Sequence, residues 1–226
     1  MELYDAVMTT RAMRRLTNEP PVTDEEIERC LRAAAQAPSG GNVQPWHFVV
    51  ATDPDQRAAV ADVYQRAERR YMAAMLAMLP PFRNDAEEQS FMRGVELTRH
   101  LAEHLADTPF VLFCLARYEN TLVDDEGPID IGTLYASIFP AVQNFMLAAR
   151  DVGLGTTLTT VFRAYHDEVK ELVGLREHHE IVALVPIGRP EGRFGVAPRK
   201  PIDRVVSWNR YGERRDPVTP EYRSGA

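Results

Sequence analysis

Residues 37–46 read Ala37-Pro38-Ser39-Gly40-Gly41-Asn42-Val43-Gln44-Pro45-Trp46, and they separate two stretches of different periodicity. Before them, Thr23-Asp24-Glu25-Glu26 matches a capping box, and apolar residues then recur at helical spacing until Pro38 and Gly40-Gly41 stop the helix. After them, residues 46–51 are predicted to form a buried strand. A helix therefore leads through a Gly-rich loop into a strand, which predicts a mixed helix-and-sheet domain.

Helices and strands continue to alternate beyond this loop. Residues 56–104 have a helical pattern that is broken at Pro80-Pro81. Further elements are predicted downstream: a buried strand over 110–116, a long apolar helix over 130–150, a β-prone stretch over 156–161, a short helix over 167–172, a buried strand over 181–187, a loop over 188–199 and a short helix over 202–208. The strands are too apolar to have a solvated face, so we expect an α+β or α/β sheet covered by helices on both sides. No stretch resembles a linker, and residues 1–226 are predicted to form one domain.

The composition limits the partners of this chain. A formal net charge of −7 argues against a nucleic-acid binder, which needs a basic face. The longest apolar stretch, residues 71–79, is too short to span a bilayer. Cys30 and Cys114 lie inside apolar patterns and are poor material for a disulfide framework or a zinc site. The acidic start Met1-Glu2-Leu3-Tyr4-Asp5 is unlike a signal peptide, so a cytoplasmic protein is expected.

Two stretches carry groups suited to a polar ligand. Thr10-Arg11-Ala12-Met13-Arg14-Arg15 concentrates three guanidinium groups, which suit a phosphate, and Arg199-Lys200 could complete that anion site. The alternative is a solvated basic end of the first helix. In the loop of residues 37–46, adjacent glycines allow close approach of a ligand, and Ser39, Asn42 and Gln44 supply neutral hydrogen-bonding groups. The alternative there is a simple helix stop and turn.

Two further stretches complete the pattern. Gly153-Leu154-Gly155-Thr156 follows the long helix and leads into residues 158–161, whose backbone N–H groups could face a ligand. The alternative is a helix C-cap followed by a strand start. Near the C-terminus the chain reads Val185-Pro186-Ile187-Gly188-Arg189-Pro190.

Taken in this order, the four stretches resemble the nitroreductase family of flavin enzymes. The Pro-Ser-Gly-Gly-Asn-x-Gln-Pro-Trp run is the most specific part, and the resemblance extends from about Leu3 to Gly212. It is weakest over residues 56–104. The resemblance implies an α+β fold in which helices cover the sheet and two chains interlock as a homodimer through long helices. It also implies one FMN in each of two sites at the dimer interface.

The resemblance assigns cofactor-binding roles to particular residues. Arg11, Arg14 and Arg199 are expected to hold the FMN phosphate and ribityl chain, and the loop around Ser39 to reach the flavin from the other subunit. A backbone N–H near Thr160 is expected close to flavin N5. The full predicted set is Arg11, Ala12, Met13, Arg14, Arg15, Pro38, Ser39, Gly40, Asn42, Gln44, Leu158, Thr159, Thr160, Val161 and Arg199. Where the family usually has Arg-Arg-Ser, this chain has Thr10-Arg11-Ala12. The serine hydroxyl contact is therefore absent, and the sequence leaves open which arginine binds the phosphate.

The implied chemistry needs few side chains. NAD(P)H would pass hydride to flavin N5, and the reduced flavin would then reduce a nitroaromatic, a quinone or a similar small molecule in a ping-pong order. No catalytic nucleophile, acid–base residue or metal is expected. Alternatives with the same fold are a flavin reductase, a reductive dehalogenase-like enzyme and a flavin-destroying oxygenase. An FMN storage protein without turnover and a cofactor-free structural dimer are alternatives from other classes.

The helical middle, residues 56–104, would form a lid that sets substrate choice, and residues 213–226 a C-terminal tail. Tyr71, Phe82 and Phe91 are then candidate substrate contacts, although aromatic and Met residues at this spacing are more often core or dimer contacts. His100 and His104 lie one helical turn apart, and a solvated helix face is favoured there over a metal site.

Overall fold

The computed structural model describes residues 1–116, 122–125, 127–129, 134–219 and 222. Two compact units are distinguished along the chain, one formed by Met1–Arg11 with Arg193–Ala226 and the other by Ala12–Gly192. In the first unit, helix α1 spans Leu3–Thr9 and a single 3-10 turn spans Ile202–Arg204. The helix predicted over 202–208 is therefore limited to this turn. The Tyr222 hydroxyl, in the predicted tail, donates to Asp5 Oδ1 at 2.6 Å.

The second unit contains the remaining helices and all the strands of the described ranges. Its helices are α2 (Asp24–Ala34), α3 (Pro54–Ala77), α4 (Asp85–His104), α5 (Tyr135–Asp151) and α6 (His166–Leu172). Its strands are β1 (Leu16–Thr17), β2 (Trp46–Ala51), β3 (Phe110–Ala116), β4 (Leu122–Asp124), β5 (Gly127–Ile129), β6 (Gly155–Thr156) and β7 (His179–Pro190). The helix predicted over 130–150 is α5, and residues 130–133 of that prediction lie outside the described residues.

A five-stranded sheet organises the second unit. Its strand order is β1-β7-β3-β2, and β6 also pairs with β7, while β4 and β5 form a separate two-stranded sheet. Every pairing is antiparallel. The open choice between α+β and α/β is therefore resolved in favour of α+β, because a parallel sheet is absent from the described part of the chain.

Strand β3 lies in the centre of the core and divides it into two layers. Val111, Phe113 and Leu115 contact α2 and α5 on one face, whereas Phe110, Leu112 and Cys114 contact α3, α4 and α6 on the other. All seven residues of β3 are buried. The predicted buried strand and the covering of the sheet by helices on both faces are thus confirmed.

Three predicted elements differ from the structure. Strand β2 is not buried: it lies at the edge of the sheet beside β3, and only Ala51 of its six residues is fully enclosed. The predicted β-stretch over 156–161 is reduced to β6, because residues 161–165 turn into a 3-10 helix. The predicted loop over 188–199 begins later, because β7 continues to Pro190 and pairs there with Leu16 and Thr17 of β1.

Helix α5 is apolar on both its covered and its exposed sides. Ile138, Val142 and Phe145 are buried against the sheet, yet Phe139 on the same helix is 41% exposed. This matches the expectation of a helix that belongs to the core or to an interface. In the parts of the chain that the structure describes, no helix combines the length and the apolar character needed to cross a membrane.

Candidate functional site

The segment after β6 is held against the sheet by one residue. Thr159 donates its backbone N–H to the Leu184 carbonyl at 2.9 Å, and Leu184 N–H donates back to the Thr159 carbonyl at 3.0 Å. Thr157 and Thr159 are buried, while Leu158 and Thr160 are exposed. The segment therefore alternates as a strand does, although it makes only this isolated bridge. Leu158 and Thr160 are left available to a ligand.

A buried hydrogen bond supports this segment from behind. The Tyr64 hydroxyl lies 2.8 Å from Thr159 Oγ1, and Tyr64 is fully buried on α3. Burial raises the pKa of Tyr64 to about 12, against a smaller opposing effect of the hydrogen bond to Thr159. The phenol therefore stays protonated and neutral throughout the physiological pH range. Its contact fixes the position of Thr159.

Two neighbouring cavities open beside this segment. The smaller has a volume of about 210 Å³, and the larger has about 420 Å³. They share Tyr71, Thr160 and Val161, so they form one continuous cleft between α3 and the segment after β6. The smaller cavity is lined by Arg14, Tyr64, Tyr71, Thr98, Leu101, Thr157, Leu158, Thr159, Thr160 and Val161. The larger is lined by Arg70, Tyr71, Ala74, Thr160, Val161 and Ala164.

The arginine cluster divides into groups with different surroundings. Helix α1 ends at Thr9, before the arginines, and so the alternative of a basic helix end is not what the structure contains. Arg14 is partly buried and lines the smaller cavity. Arg15 instead forms an ion pair with Glu96 at 3.0 Å. Met13 is buried and donates its N–H to the Thr156 carbonyl at 2.9 Å, which fixes Arg14 next to the segment after β6.

The remaining cationic residues of the prediction are exposed. Arg11 and Arg199 are exposed and both belong to the first unit, and Ala12 of the second unit is exposed as well. The Arg199 guanidinium donates to the neighbouring Pro198 carbonyl at 3.0 Å. The meeting of Arg11, Arg14 and Arg199 on one phosphate stays a prediction.

The Gly-rich loop has an unusual backbone. Gly41, Asn42 and Gln44 have φ angles of 57°, 54° and 52°, in the left-handed region that non-glycine residues rarely adopt. Ser39 Oγ accepts the Gln44 N–H at 2.8 Å, and the Gln44 side-chain amide donates to Asn42 Oδ1 at 3.1 Å. These contacts hold the strained shape, and such strain is common at ligand-binding sites.

The loop is nevertheless open to solvent. Pro38, Gly40, Asn42 and Gln44 are exposed, and Ser39 is only partly covered. Among the described residues that line the two cavities, none comes from this loop. Its predicted contact with a flavin in the other subunit stays a prediction.

The predicted substrate contacts are separated by the structure. Tyr71 is 47% exposed and lines both cavities. Phe82 and Phe91 pair with each other, with ring centroids 5.4 Å apart, and neither occurs among the described residues that line the cleft. The structure thus brings one of the three aromatic residues to the cleft.

Several cleft residues carry no sequence signal for their role. Tyr64 lies among Val60, Ala61 and Ala67 on a buried helix face, so the sequence presents it as a core residue. Arg70 is one of many charged residues on α3. Thr98 lies on α4, where its hydroxyl donates to the Gly94 carbonyl at 2.9 Å. Only the cavities that they line identify these residues.

The two histidines of α4 lie close together. The rings of His100 and His104 have centroids 4.3 Å apart, and His104 Nδ1 lies 2.7 Å from Asp107 Oδ2. Burial lowers the pKa of His100, and the neighbouring His104 adds to this effect. Across the residues that the structure describes, no group of three or more potential metal ligands occurs.

A model of the nitroreductase family matches residues 7–189, which is most of the 226 residues. The chain therefore belongs to the nitroreductase family, whose enzymes are oxidoreductases.

Proteins similar to this chain in sequence catalyse different reactions. The chain is similar to iodotyrosine deiodinase 1 of Rattus norvegicus, with 25% identity over 209 residues that cover 91% of this chain and 68% of the relative. It is also similar to 4-nitrobenzoate reductase of Nocardioides sp. (strain LMS-CY), with 27% identity over 226 residues that cover 92% of this chain and 90% of the relative.

Solved structures share the fold. An iodotyrosine deiodinase bound to FMN and 3-iodo-L-tyrosine superimposes with a TM-score of 0.71 and 22% identity, covering 93% of this chain and 100% of the other. The NADPH:FMN oxidoreductase of Vibrio harveyi, in complex with NAD⁺, has a TM-score of 0.66 and 21% identity, covering 94% of this chain and 79% of the other. At these identities the likeness concerns the fold alone.

Proposed function

We propose that this protein is an FMN-dependent oxidoreductase that reduces a small aromatic or quinone acceptor with electrons from NAD(P)H. One observation carries the proposal: Arg14, Tyr71 and residues 157–161 line a single cavity in a chain of the nitroreductase family. Relatives in the family include a nitrobenzoate reductase, and structures of the same fold have been solved with FMN or NAD⁺ bound.

The donor set of the cleft fits a flavin mononucleotide. A phosphate needs a cation, and Arg14 is the guanidinium that lines the smaller cavity. A planar ring needs apolar contact and a few neutral hydrogen-bonding groups, which Leu158 and Thr160 supply. The described lining of the smaller cavity contains no carboxylate beside Arg14.

The residues of the chain act on such a cofactor by position and charge. FMN, when bound, supplies the two-electron redox chemistry that amino-acid side chains lack. Arg14 holds negative charge in the cleft, and the bridge between Thr159 and Leu184 keeps the adjacent backbone N–H groups in place. Tyr64 stays protonated and anchors Thr159.

The functional unit proposed is a homodimer in the cytoplasm. The strained loop of residues 39–44 projects its polar groups into solvent. In a homodimer these groups would contact the flavin bound by the partner chain. The exposed Phe139 on α5 is a second candidate for coverage by a partner. Analytical ultracentrifugation of the purified protein measures the assembly directly.

Reductive dehalogenation of an aromatic substrate is the second candidate. Iodotyrosine deiodinases match most of this chain, at 25% identity for the rat protein. The two reactions are separated by product analysis: a nitroreductase converts 4-nitrobenzoate to its hydroxylamine or amine, whereas a dehalogenase releases iodide from 3-iodo-L-tyrosine.

The absorption spectrum of the purified protein tests the proposal first. We expect the blue-light absorption bands of oxidised flavin, and FMN as the nucleotide released on denaturation. Anaerobic addition of NADH or NADPH should bleach these bands, and the faster of the two identifies the preferred donor. A colourless protein that takes up no added FMN would contradict the proposal, and a yellow protein that neither nicotinamide bleaches would favour the storage alternative.

A substitution in the cavity tests the role of Arg14. Replacing it as Arg14→Gln removes the cation and should weaken FMN binding about tenfold or more, as expected for a lost charge-assisted hydrogen bond. The matched control is Arg69→Gln, an exposed arginine on α3 outside the described cavity linings. Equal FMN affinity of the two variants would rule out the assignment.

A further inference from the structure

The larger cavity shares Tyr71, Thr160 and Val161 with the smaller one and adds Arg70, Ala74 and Ala164 to its lining. Its volume of about 420 Å³ lies within the range of about 300–1,000 Å³ that small-molecule sites occupy. Arg70 is the charged residue of its described lining, and Tyr71 is the aromatic residue. The other four, Ala74, Thr160, Val161 and Ala164, are small or apolar. This composition suits a molecule with a flat apolar body and one negative group.

The Arg70 guanidinium is held in place by contacts that leave its positive charge uncompensated. Its Nη1 donates to the Ala164 carbonyl at 3.4 Å, and its guanidinium carbon lies 5.5 Å from the centre of the Tyr165 ring. These contacts direct the side chain across the gap between α3 and the residues that follow Thr160. No carboxylate of the described residues lies within ion-pair distance of the Arg70 guanidinium.

Arg66, one turn before Arg70 on α3, differs from Arg70 in how its charge is compensated. Arg66 also stacks on Tyr165, at 5.1 Å, but it forms ion pairs with Asp62 at 3.1 Å and with Glu168. Its charge is therefore compensated within the protein, whereas the charge of Arg70 is available to a ligand. A guanidinium held in this way can bind both oxygens of one carboxylate.

We propose that Arg70 is a specificity residue that binds the carboxylate of an aromatic acceptor, whose ring lies against Tyr71. The inference rests on the proposed function, in which the adjoining cavity with Arg14 holds FMN. The acceptor is then an aromatic acid whose reducible group is remote from its carboxylate. The two cavities share Thr160 and Val161, so an acceptor anchored at Arg70 has its opposite end beside the smaller cavity.

Steady-state kinetics with a matched pair of substrates tests the inference. The pair is 4-nitrobenzoate and its methyl ester, which differ in charge and have nearly the same ring and nitro group. Arg70→Gln should lower kcat/KM for the acid about tenfold or more, mainly through KM, and leave the ester within about twofold. Arg70→Lys should recover part of the loss, because it restores the charge without the planar fork. Arg69→Gln, the neighbouring exposed arginine, should behave as the wild type with both substrates.

A binding measurement separates this inference from the proposed function. Benzoate, which cannot be reduced, is titrated calorimetrically into wild-type protein, Arg70→Gln and Arg69→Gln, each with and without added FMN. Benzoate binding that Arg70→Gln alone weakens supports the inference, even if the protein proves not to turn over. Failure of the protein to bind or reduce FMN contradicts the proposed function instead. Equal losses for the acid and its ester, or benzoate binding that is unchanged in folded Arg70→Gln and Arg70→Lys, overturns the role of Arg70.

Discussion

Gly155 and Gly188 lie directly opposite each other in the pairing of β6 with β7, and neither position has room for a side chain. A Cβ atom at Gly188 would lie 2.8 Å from the Thr17 carbonyl oxygen, and one at Gly155 would lie 2.7 Å from Leu16 Cδ2. The two glycines thus let β1 pack tightly on this edge of the sheet. Because Arg14 lies two residues before β1, the glycine pair also sets how close Arg14 lies to the cleft.

Substitution of Gly188 is therefore expected to be costly. In Gly188→Ala the new methyl group meets a backbone oxygen, which cannot rotate away, so β1 must shift. We expect the free energy of unfolding to fall by about 1–3 kcal/mol, as in other overpacked cores, together with weaker FMN binding. Urea denaturation followed by circular dichroism measures the first effect, and fluorescence titration with FMN the second.

Gly94 provides the control for this experiment. It lies within α4, and a Cβ atom there would meet no atom within 4 Å. Gly94→Ala should raise the free energy of unfolding by about 0.5–1 kcal/mol, because alanine favours the helix. A Gly188→Ala variant as stable as the Gly94→Ala variant would show that β1 is not tightly packed.

An ion pair between distant parts of the chain gives the stability a dependence on pH. The two carboxylate oxygens of Glu26 accept from Arg189 Nη1 at 2.8 Å and Nη2 at 2.9 Å, and Glu26 Oε2 also accepts the Thr23 N–H at 2.9 Å. The hydrogen bond from Arg189 is the main cause of the lowered pKa of Glu26. A carboxyl with a lower pKa in the folded state stabilises the fold above its unfolded pKa and loses this effect as the pH falls through the folded value.

Glu26→Gln should therefore lower the free energy of unfolding at neutral pH by about 2 kcal/mol, the typical value for a hydrogen bond to a charged group. The difference from the wild type should shrink as the pH falls below the ordinary carboxyl range. Glu28→Gln is the control, because its ion pair with Arg32 is exposed and contributes less than about 1 kcal/mol. Thermal melts of the three proteins over an acidic pH series test the prediction, and a gap that widens toward acid would refute it.

Local signals in the sequence are enough for part of the fold. The capping box at Thr23 is present with both of its hydrogen bonds, since Glu26 N–H donates to Thr23 Oγ1 and Thr23 N–H donates to the Glu26 carboxylate. The continuous apolar run of β3 likewise predicts a buried strand, and the break at Pro80-Pro81 separates α3 from α4. Each of these features depends on residues that are close in sequence.

Other elements depend on contacts between distant residues. Strand β1 has only two residues, and it exists because Leu16 and Thr17 pair with Pro190 and Arg189. The same pairing extends β7 beyond Ile187, which no local pattern could indicate. In the cleft, Arg14 and residues 158–161 were predicted from resemblance, whereas Tyr64 acquires its role from a hydrogen bond to a residue 95 positions away.

The buried carboxyl group of Glu68 on α3 gives the stability a pH dependence opposite in sign to that from Glu26. Glu68 is 4% exposed, and its Oε1 has no hydrogen-bond partner among the described residues. Burial raises the pKa of Glu68, and Glu103 adds to this, while Arg99 and Arg69 oppose it. The unfolded chain therefore ionises this group more readily than the folded protein does, so stability falls as the pH rises from the ordinary carboxyl range through the raised value.

Glu68→Gln should accordingly be more stable than the wild type at neutral and alkaline pH. The advantage should disappear in acid, where the wild-type carboxyl is protonated in both the folded and the unfolded states. Urea denaturation at a series of pH values measures the difference, with Glu88→Gln, which changes an exposed residue of α4, as the control. A wild type that is the more stable protein at high pH would contradict the raised pKa.

In the Gly-rich loop, residues with a left-handed backbone can be substituted so that the effect on stability is separated from the effect on ligand binding. Gln44 has a φ of 52° and donates its backbone N–H to Ser39 Oγ, a bond that any residue except proline can make. Gln44→Gly keeps this bond and removes the cost of the left-handed conformation, so the free energy of unfolding should stay equal or rise by about 1 kcal/mol. Gln44→Ala retains the free-energy cost of the left-handed conformation, so its free energy of unfolding should not rise in the same way.

Both variants lose the amide group that the proposed function assigns to the flavin site of a partner chain. Since one neutral hydrogen bond contributes about 0.5–1.5 kcal/mol, FMN affinity should fall about two- to tenfold in both, although their stabilities differ. Val43→Ala, which alters the exposed neighbouring side chain, should leave FMN affinity unchanged. If Gln44→Gly is more stable and binds FMN as tightly as the wild type, the loop serves only to connect α2 with β2, because its strained shape then has no ligand to hold.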